Sequence, residues 1–503
     1  MGLKKHLAKA FAAHIRRRTY SLAARPHEAQ EKTFKELITA AAGTRFGEEH
    51  GFGEIRTYRD FVRRVPVREY EDLRPYIERI ISGEQDVLWR GKPLYFAKTS
   101  GTTSGAKYIP ISWESMPTHI KAARNALLLY IARTGNAEFT EGKMIFLQGS
   151  PVLGETGGIK TGRLSGIVAH YVPPYLQKNR LPSWQTNSIE DWEEKVDKII
   201  GETLPEDMRL ISGIPSWVQM YFEKIIEKTG RKVGEVFPDF SLFVYGGVNF
   251  APYREIFEQL IGRKVDYLEL YPASEGFIAY QDAGYDEGML LNLDAGIYYE
   301  FIPADEFHGE NPVRLNLRQV EKGVNYVIIL NTNAGLWGYN IGDTVEFVSL
   351  NPYRIKVTGR IKHFISAFGE HVIAQEVENA IAEAQKRTGA KVKEFTVAPQ
   401  VRPPAGLPYH EWLVEFETPP SDPGSFARII EEMMNRQNSY YRDLTQGAIL
   451  RAAVITPVEK NAFYAYMKSL GKLGGQNKIP HLSDDRKIAT WLYDNGYCRQ
   501  TLT

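Results

Sequence analysis

The sequence predicts a mixed α/β protein with a large N-terminal region and a smaller C-terminal α+β domain. Domains usually take roughly 100–200 residues, so a chain of 503 residues is too long for one core. Residues 241–270 follow a strand, helix, strand pattern, which is the unit of a parallel sheet. Around residues 351–360 the chain turns strongly polar and the succession of elements starts again. These observations place a domain boundary near residue 360.

The composition excludes several classes of protein. Hydrophobic residues are 43% and charged ones 24%, which is typical of a globular protein and argues against wholesale disorder. The net charge of +1 gives no electrostatic reason to expect a nucleic-acid partner. Cys498 is the one cysteine, so there is no internal disulfide or cysteine-cluster metal site. The longest apolar stretches, such as 126–132, fall far short of the ~18 residues of a membrane helix. We expect a cytoplasmic protein without stable membrane insertion.

The first eighteen residues are basic and contain no acidic residue. Their cationic positions are Lys4, Lys5, Lys9, Arg16, Arg17 and Arg18. A basic, acid-poor start occurs in transit peptides and membrane-surface helices. It occurs equally on the solvated face of a helix that docks onto the protein, and this is the interpretation that we favour.

The predicted elements of the N-terminal region are clearest after residue 215. Residues 216–228 are helical in pattern. A short apolar strand at 241–245 is followed by a helix opened by Pro252 and closed by Gly262. The next strands are expected at 265–270 and 326–330. A sheet of mainly parallel strands follows from this order.

The C-terminal domain has its own alternation of elements. We expect a hairpin formed by residues 355–357 and 363–366. An amphipathic helix at 375–387 ends at Gly389, a strand covers 411–416, and a second helix covers 426–440.

The most informative segment for chemistry runs from Lys98 to Lys107, between two strand-like stretches. Glycines let backbone N–H groups approach an anion closely, hydroxyls donate further hydrogen bonds, and a lysine adds charge. The spacing is not that of a Walker loop, because only three residues separate the glycines. A flexible turn is the alternative. The candidate phosphate-binding residues are Thr99, Ser100, Gly101, Thr102, Thr103, Ser104 and Lys107.

One of two candidate acidic residues lies where an open sheet offers a binding position. Glu275 follows the strand at 265–270, and ligands of open sheets bind at the carboxyl ends of strands. Asp343 follows Gly342, and considered alone it is better explained as a turn residue.

These patterns occur in the order found in the adenylate-forming superfamily, which the sequence resembles from the loop at 98 to residue 478. The similar segments are 98–107, 246–248, 271–276, 339–343, 359–369 and 474–481. The extra Ser104 and the Gly-Gly-Gln-Asn-Lys-Ile-Pro stretch from Gly474 resemble the Gretchen Hagen-3 acyl acid amido synthetases. The resemblance implies an N-terminal domain of β-barrel and α/β subdomains at 1–358, a hinge at 359–361, and a small mobile C-terminal domain at 362–503.

The resemblance also implies roles for individual residues, with ATP and Mg²⁺ as the cofactors. The hydroxyl loop and Lys107 would bind the β- and γ-phosphates, and Glu275 would hold Mg²⁺. The expected nucleotide contacts are Gly247, Val248, Tyr271, Ala273 and Ser274 around the adenine and α-phosphate, Asp343 on the ribose, and Arg360 on ribose or phosphate. Lys478 would be the catalytic lysine.

The expected reaction is adenylation of a carboxylic acid, followed by transfer of the acyl group to an amine. The expected acceptor is an amino acid, and no obligate protein partner is indicated. An acyl-CoA ligase is the alternative, favoured by Gly369, and a non-enzymatic adenylate sensor is a second alternative. Lys472 is the rival of Lys478, and His481 stands where the family usually has arginine. The acyl pocket is not specified, although segments 116–131 and 165–172 are candidates for its walls.

Overall fold

The structure is a computed structural model of the chain. It describes residues 3–100, 106–172, 177–189, 192–247, 250, 253–307, 309, 312–361, 364–365, 372–400, 403–446, 450–473, 478–483 and 485–498.

The α-helices of the described residues are numbered in chain order: α1 (Leu3–Ala23), α2 (Pro26–Ala41), α3 (Arg45–Glu49), α4 (Tyr58–Arg64), α5 (Tyr70–Ile81), α6 (Met116–Thr134), α7 (Leu164–Ala169), α8 (Trp184–Asn187), α9 (Trp192–Thr203), α10 (Pro215–Thr229), α11 (Val233–Val236), α12 (Arg254–Ile261), α13 (Ala374–Thr388), α14 (Pro423–Gln437), α15 (Ser439–Gln446), α16 (Ala462–Ser469) and α17 (Lys487–Asp494).

The strands are numbered in the same way: β1 (Tyr95–Ser100), β2 (Ala106–Ile111), β3 (Lys143–Phe146), β4 (Gly154–Thr156), β5 (Ile159–Gly162), β6 (Arg180–Leu181), β7 (Met208–Ser212), β8 (Leu242–Gly246), β9 (Asp266–Ala273), β10 (Gly276–Tyr280), β11 (Met289–Leu291), β12 (Ile297–Pro303), β13 (Leu315–Asn316), β14 (Asn325–Thr332), β15 (Tyr339–Leu350), β16 (Tyr353–Arg360), β17 (Phe364–Ile365), β18 (Val372–Ile373), β19 (Lys391–Gln400), β20 (Tyr409–Thr418) and β21 (Val454–Val458).

A sheet of twelve described strands forms the largest layer, in the order β13-β12-β14-β15-β16-β11-β10-β9-β8-β7-β3-β6. The strands from β9 to β6 are mutually parallel. Their carboxyl ends therefore lie along one edge, where open α/β sheets bind ligands. Strands β2, β1, β5 and β4 form a separate small sheet.

The predicted strand, helix, strand unit is confirmed as β8, α12 and β9. Aromatic residues pack the helix against the strand, since the rings of Phe243 and Phe257 stack with centroids 5.0 Å apart. Gly262 ends α12 with a φ of 77°, a left-handed conformation that glycine adopts without a Cβ penalty. The predicted start of this helix at Pro252 lies outside the described residues.

The basic N-terminal segment forms α1, which packs against α6 through buried Ala12 and Ile15. The Tyr20 hydroxyl donates a 2.6 Å hydrogen bond to Asp282 Oδ2, and Arg354 Nη2 donates to the same carboxylate oxygen at 2.8 Å. The first helix is thereby attached to two distant parts of the chain, as expected for a docking helix.

The C-terminal elements form a three-stranded sheet in the order β19-β20-β21, covered by α13 and α14. The predicted helix ending at Gly389 is confirmed as α13. The helix expected at 426–440 is wrong as one element, because the chain breaks at Asn438. Its side-chain Oδ1 accepts a 2.9 Å hydrogen bond from the Tyr441 N–H and starts a new helix, α15.

The hairpin expected between residues 355–357 and 363–366 is also wrong. Strand β16 lies between β15 and β11 in the large sheet, and β17 pairs with β18 instead. The error arises because β16 finds its partners through the long-range order of the sheet.

The described residues divide into two compact units. The first takes the residues up to Ile341 together with Val345–Val357, and the second takes Gly342–Thr344, Thr358–Leu473 and the residues from Lys478 onward. The hinge at 359–361 stays a prediction. Among the described residues, none of the helices is both long enough and apolar enough to span a membrane.

Candidate active site

Strands β1 and β2 present the two ends of the hydroxyl-rich loop. They pair antiparallel, with Thr99 opposite Lys107 and Ser100 opposite Ala106. The two predicted strands on either side of the loop are confirmed. The loop residues Gly101, Thr102, Thr103 and Ser104 lie outside the described residues.

The side chain of Lys107, which follows the loop, lies over an aromatic ring. Its Nζ lies 5.6 Å from the ring centroid of Tyr70, a cation–π distance. The Tyr70 hydroxyl accepts a 2.9 Å hydrogen bond from the N–H of Tyr108, and burial raises the pKa of the phenol above its usual value. A neutral, fixed tyrosine thus supports the lysine at the base of the loop.

Glu275 lies in a two-residue turn at the carboxyl end of β9. Ala273 pairs with Gly276, so Ser274 and Glu275 connect β9 to β10. The strand predicted to end at residue 270 continues to Ala273, because Tyr271 pairs onward with β10. Ser274 is buried, Glu275 is half-buried, and the carboxylate occupies the strand end where the sequence placed it.

Gly247 follows the end of the neighbouring strand β8. A Cβ on Gly246 would lie 2.4 Å from the carbonyl oxygen of Leu270, and Gly247 has a φ of 82°. Both positions therefore require glycine. Gly247 and the Glu275 turn belong to adjacent parallel strands, whereas Val248 lies outside the described residues.

Asp343 lies within β15 and not in a turn. The Ile361 N–H donates a 2.7 Å hydrogen bond to the Gly342 carbonyl, and the Thr358 hydroxyl donates to the Thr344 hydroxyl at 2.8 Å. These bonds place half-buried Asp343 opposite the last residues of β16, which end at Arg360. The structure therefore brings Asp343 and the backbone of Arg360 together.

Lys478 is exposed and starts a segment that is fixed to β19. The Thr396 hydroxyl donates to the Pro480 carbonyl at 2.7 Å, and the Val397 N–H donates to the His481 carbonyl at 2.9 Å. Lys472 is also exposed and follows α16. The backbone three residues beyond Lys478 is thus held by strand contacts.

His481 forms a half-buried ion cluster at this point. Its Nδ1 lies 2.9 Å from Glu378 Oε1 and its Nε2 lies 3.1 Å from Glu394 Oε1. Its ring stacks on Phe395 with centroids 4.3 Å apart. Burial alone lowers the pKa of His481, but the hydrogen bonds and charges of the two glutamates outweigh burial and raise it to about 10. A doubly protonated imidazole donates from both nitrogens. His481 therefore supplies a cation at the position where arginine is usual.

The residues present fit a magnesium ion that arrives with ATP. Mg²⁺ is usually held by one or two carboxylates together with substrate phosphates. Glu275 offers one half-buried carboxylate at a strand end. The part of the chain that the structure describes contains no group of three His, Cys, Asp or Glu residues that could hold a metal by itself.

Sequence analysis found the local motifs and missed the contacts between distant residues. It assigned no partners to His481, whose glutamates lie 103 and 87 residues away in the chain. It assigned no role to Gln148, Arg163 or Lys195, which the fold gathers at the carboxyl end of β3. No short motif marks either group.

The fold is that of the adenylate-forming ligases. The structure of GH3.15 acyl acid amido synthetase is similar with a TM-score of 0.78 and 16% identity, covering 96% of this chain and 95% of that chain. The 2-hydroxyisobutyryl-CoA ligase in its postadenylation state is similar with a TM-score of 0.55 and 13% identity, covering 94% and 92%.

The chain belongs to the GH3 family. Residues 16–190 match the GH3 family N-terminal domain, residues 290–360 the central domain, and residues 375–487 the C-terminal domain. The protein is therefore a ligase, and the predictions of family, mixed α/β fold and enzyme class are confirmed.

Curated relatives align over very different lengths. Indole-3-acetic acid-amido synthetase GH3.3 of Arabidopsis thaliana is 22% identical over 92% of this chain and 91% of its own length. Jasmonoyl–L-amino acid synthetase JAR4 of Nicotiana attenuata is 27% identical, but that match covers 26% of this chain and 23% of the relative.

Proposed function

We propose that the protein adenylates a carboxylic acid with MgATP and then transfers the acyl group to an amino acid, releasing AMP. The observation that carries this proposal is the match of the chain to the three domains of the GH3 family. For each step of the reaction the chain has one suitable polar residue. A carboxylate is a poor electrophile at neutral pH, and the acyl-adenylate supplies a good leaving group.

The first half-reaction needs alignment and charge neutralisation more than covalent chemistry. A carboxylate oxygen attacks the α-phosphorus, the bond to the β-phosphate oxygen breaks, and pyrophosphate leaves. We assign the β- and γ-phosphates to Lys107 and the hydroxyl loop. Bound Mg²⁺ would neutralise phosphate charge, and Glu275 is the residue that would hold it.

The nucleoside and the reacting centre require further contacts. We assign the ribose hydroxyls to Asp343, with Arg360 beside it, and the adenine and α-phosphate surroundings to Gly247, Val248, Tyr271, Ala273 and Ser274. We propose that Lys478 stabilises the charge that develops between the carboxylate and the α-phosphate.

In the second half-reaction the amine nitrogen attacks the acyl carbon. The carbon–oxygen bond to AMP breaks, the nitrogen loses a proton, and an amide is formed. Because ATP is the co-substrate, we place this reaction in the cytoplasm.

The proposal is tested by ATP–pyrophosphate exchange across a panel of carboxylic acids. We expect exchange that requires both Mg²⁺ and one class of acid, with a hydroxamate formed when hydroxylamine is added. Release of ADP and phosphate across the panel would contradict adenylation. Binding of AMP without exchange would favour a sensor.

An acyl-CoA ligase shares the first half-reaction, and the fold similarity to 2-hydroxyisobutyryl-CoA ligase keeps it as the second candidate. Gly369, which favours it, lies outside the described residues. Only the acceptor distinguishes the two.

A further inference from the structure

Five polar residues meet at the carboxyl end of β3, and of these only Ser165 belongs to a segment considered above, the candidate acyl-pocket wall at 165–172. We call them the β3 polar cluster: Gln148, Arg163, Ser165, Asn187 and Lys195. Gln148 follows β3, Arg163 and Ser165 lie at the start of α7, Asn187 ends α8, and Lys195 lies in α9. They belong to four separate elements that converge on one strand end.

Lys195 connects two of these elements. It is 2% exposed, and its Nζ donates to the carbonyl oxygens of Asn187 at 2.7 Å and of Gln148 at 3.3 Å. One ammonium group thus holds the end of β3 against the end of α8.

Gly149 lets α7 come close on the other side. A Cβ on Gly149 would lie 2.9 Å from Arg163 Cδ and 3.4 Å from Ser165 Oγ. The guanidinium stem and the hydroxyl therefore lie directly against the backbone next to Gln148.

Within the part of the chain that the structure describes, three side-chain atoms of the cluster are buried without a hydrogen-bond partner. They are Gln148 Nε2, Ser165 Oγ and Asn187 Oδ1, and Asn187 is only 4% exposed. Leaving such an atom unpaired destabilises the folded protein, so buried polar groups are normally satisfied. The Asn187 amide exchanges donor and acceptor by rotating about its last bond. Three such unsatisfied atoms in one cluster indicate a ligand with several polar atoms.

The charge of the cluster indicates the sign of that ligand. The Arg163 guanidinium is close enough to Lys195 to repel it, and burial together with this repulsion lowers the pKa of Lys195 to about 8. Burial also lowers the pKa of Arg163. An anion bound between Arg163 and Lys195 would offset the free-energy cost of burying two positive charges.

We propose that the β3 polar cluster binds a substrate carboxylate through Arg163, Gln148 and Ser165, with Lys195 fixing their positions. The inference rests on the proposed function, in which the substrates carry carboxylates. The site is at the same sheet edge as Gly247 and Glu275. Two sources share this chemistry: the α-carboxylate of the acceptor amino acid, and a second carboxylate on a dicarboxylic acyl acid.

The test compares Arg163→Gln and the milder Ser165→Ala with the control Arg180→Gln. Arg180 is also desolvated and is not a member of the cluster, and its guanidinium lies 5.2 Å from the Phe146 ring. Exchange is measured with mono- and dicarboxylic acids, and amide formation with amino acids and their carboxamides. Circular dichroism confirms folding.

If the acceptor's carboxylate binds here, Arg163→Gln raises the KM for the amino acid about ten- to hundred-fold, as expected for hydrogen bonds to a charged group. Exchange and the KM for the carboxamide stay unchanged. If a dicarboxylic acid binds here, the same rise appears in exchange with dicarboxylic acids alone. Ser165→Ala gives a smaller rise in the same parameter, and Arg180→Gln gives none.

Equal effects of Arg163→Gln and Arg180→Gln on all substrates, or no effect of Arg163→Gln, would overturn the inference. A wild-type protein without any exchange would instead reject the proposed function. In that case, calorimetric titration with amino acids and succinate decides the question. Binding that Arg163→Gln abolishes supports the cluster as a carboxylate site, and absence of binding to wild type refutes it.

Discussion

His481 shows how a single half-buried side chain couples stability to pH. Its folded pKa of about 10 exceeds the unfolded value of about 6.5, so the folded protein holds a proton that the unfolded chain releases. Stabilisation by His481 is complete below pH ~6.5 and is lost as the pH rises through about 10, at up to ~1.4 kcal/mol per pH unit.

We therefore expect His481→Gln to be destabilised most at pH 6.5, with the difference from wild type shrinking towards pH 10. Urea denaturation at several pH values measures it. The exposed His170, which contacts the Pro151 carbonyl, provides the control His170→Gln. A difference that stays constant with pH would show that His481 is neutral.

Asp343 should bind ATP through its charge. We expect Asp343→Ala to raise the ATP dissociation constant about ten- to hundred-fold, because hydrogen bonds to a charged group contribute roughly 1.5–3 kcal/mol. Glu346→Ala, three residues further along β15, is the matched control. Unchanged affinity in folded Asp343→Ala would leave that residue a structural role only.

Lys478 and Lys472 can be ranked by their effect on rate. We expect Lys478→Ala to slow adenylation roughly 10²–10³-fold, as the loss of a donor to developing charge does. Affinity for ATP should change little, since the lysine acts mainly in the transition state. Lys472→Ala should be nearly neutral. Single-turnover measurements of acyl-AMP formation compare them, and the opposite order would refute the assignment.

At the scale of elements, one buried ion pair joins β12 to its surroundings. Glu300, which is fully buried, accepts hydrogen bonds from Arg314 at 2.6 and 3.0 Å. The Tyr58 hydroxyl of α4 and the Asn331 amide of β14 each donate to the same carboxylate at 2.8 Å. All its acceptor positions are used, so removing one partner leaves an uncompensated charge.

We expect Arg314→Met to destabilise the protein by ~3–5 kcal/mol, the usual cost of breaking a buried pair. Adding Glu300→Gln should recover part of the loss, because the amide is neutral. Arg318→Met is the control, since Arg318 forms an exposed pair with Glu31 at 4.0 Å, and such pairs contribute ~0–1 kcal/mol. Urea denaturation measures each variant. A loss below 1 kcal/mol for Arg314→Met would contradict the expectation.

Elements were predictable where the information is local. The β8, α12, β9 unit is marked by an apolar strand, helical periodicity and Gly262 at the helix end. The hairpin prediction at 355–366 failed because β16 pairs with β15 and β11, a choice made by the whole sheet. The helix break at Asn438 was not predicted, because it depends on a single side chain that caps α15.

The same distinction applies to the candidate site. Lys107, Glu275 and Asp343 belong to short segments whose pattern is visible in the chain. The β3 polar cluster spans residues 148–195, and each member is an ordinary polar residue in its own segment. Only folding brings Arg163 and Lys195 side by side, so no local pattern could indicate them.

At the scale of the whole molecule, the acceptor decides between the two candidate reactions. We expect an amino acid and not coenzyme A, because the family shown by the N-terminal, central and C-terminal matches is GH3. With a carboxylic acid that supports exchange, each amino acid, coenzyme A and simple amines are offered separately. AMP release and product mass are followed. A thioester without any amide would contradict the expectation and leave adenylation intact.

The hydrogen bond between Tyr20 and Arg354 can form only after both residues have been synthesised. The two residues are 334 positions apart, and their atoms lie 3.3 Å from each other. At roughly 5–20 residues per second, a ribosome needs about 15–70 s to supply the second partner after the first. During that interval the Tyr20 hydroxyl lacks this partner, whereas α6, on which Ala12 and Ile15 pack, has already been synthesised.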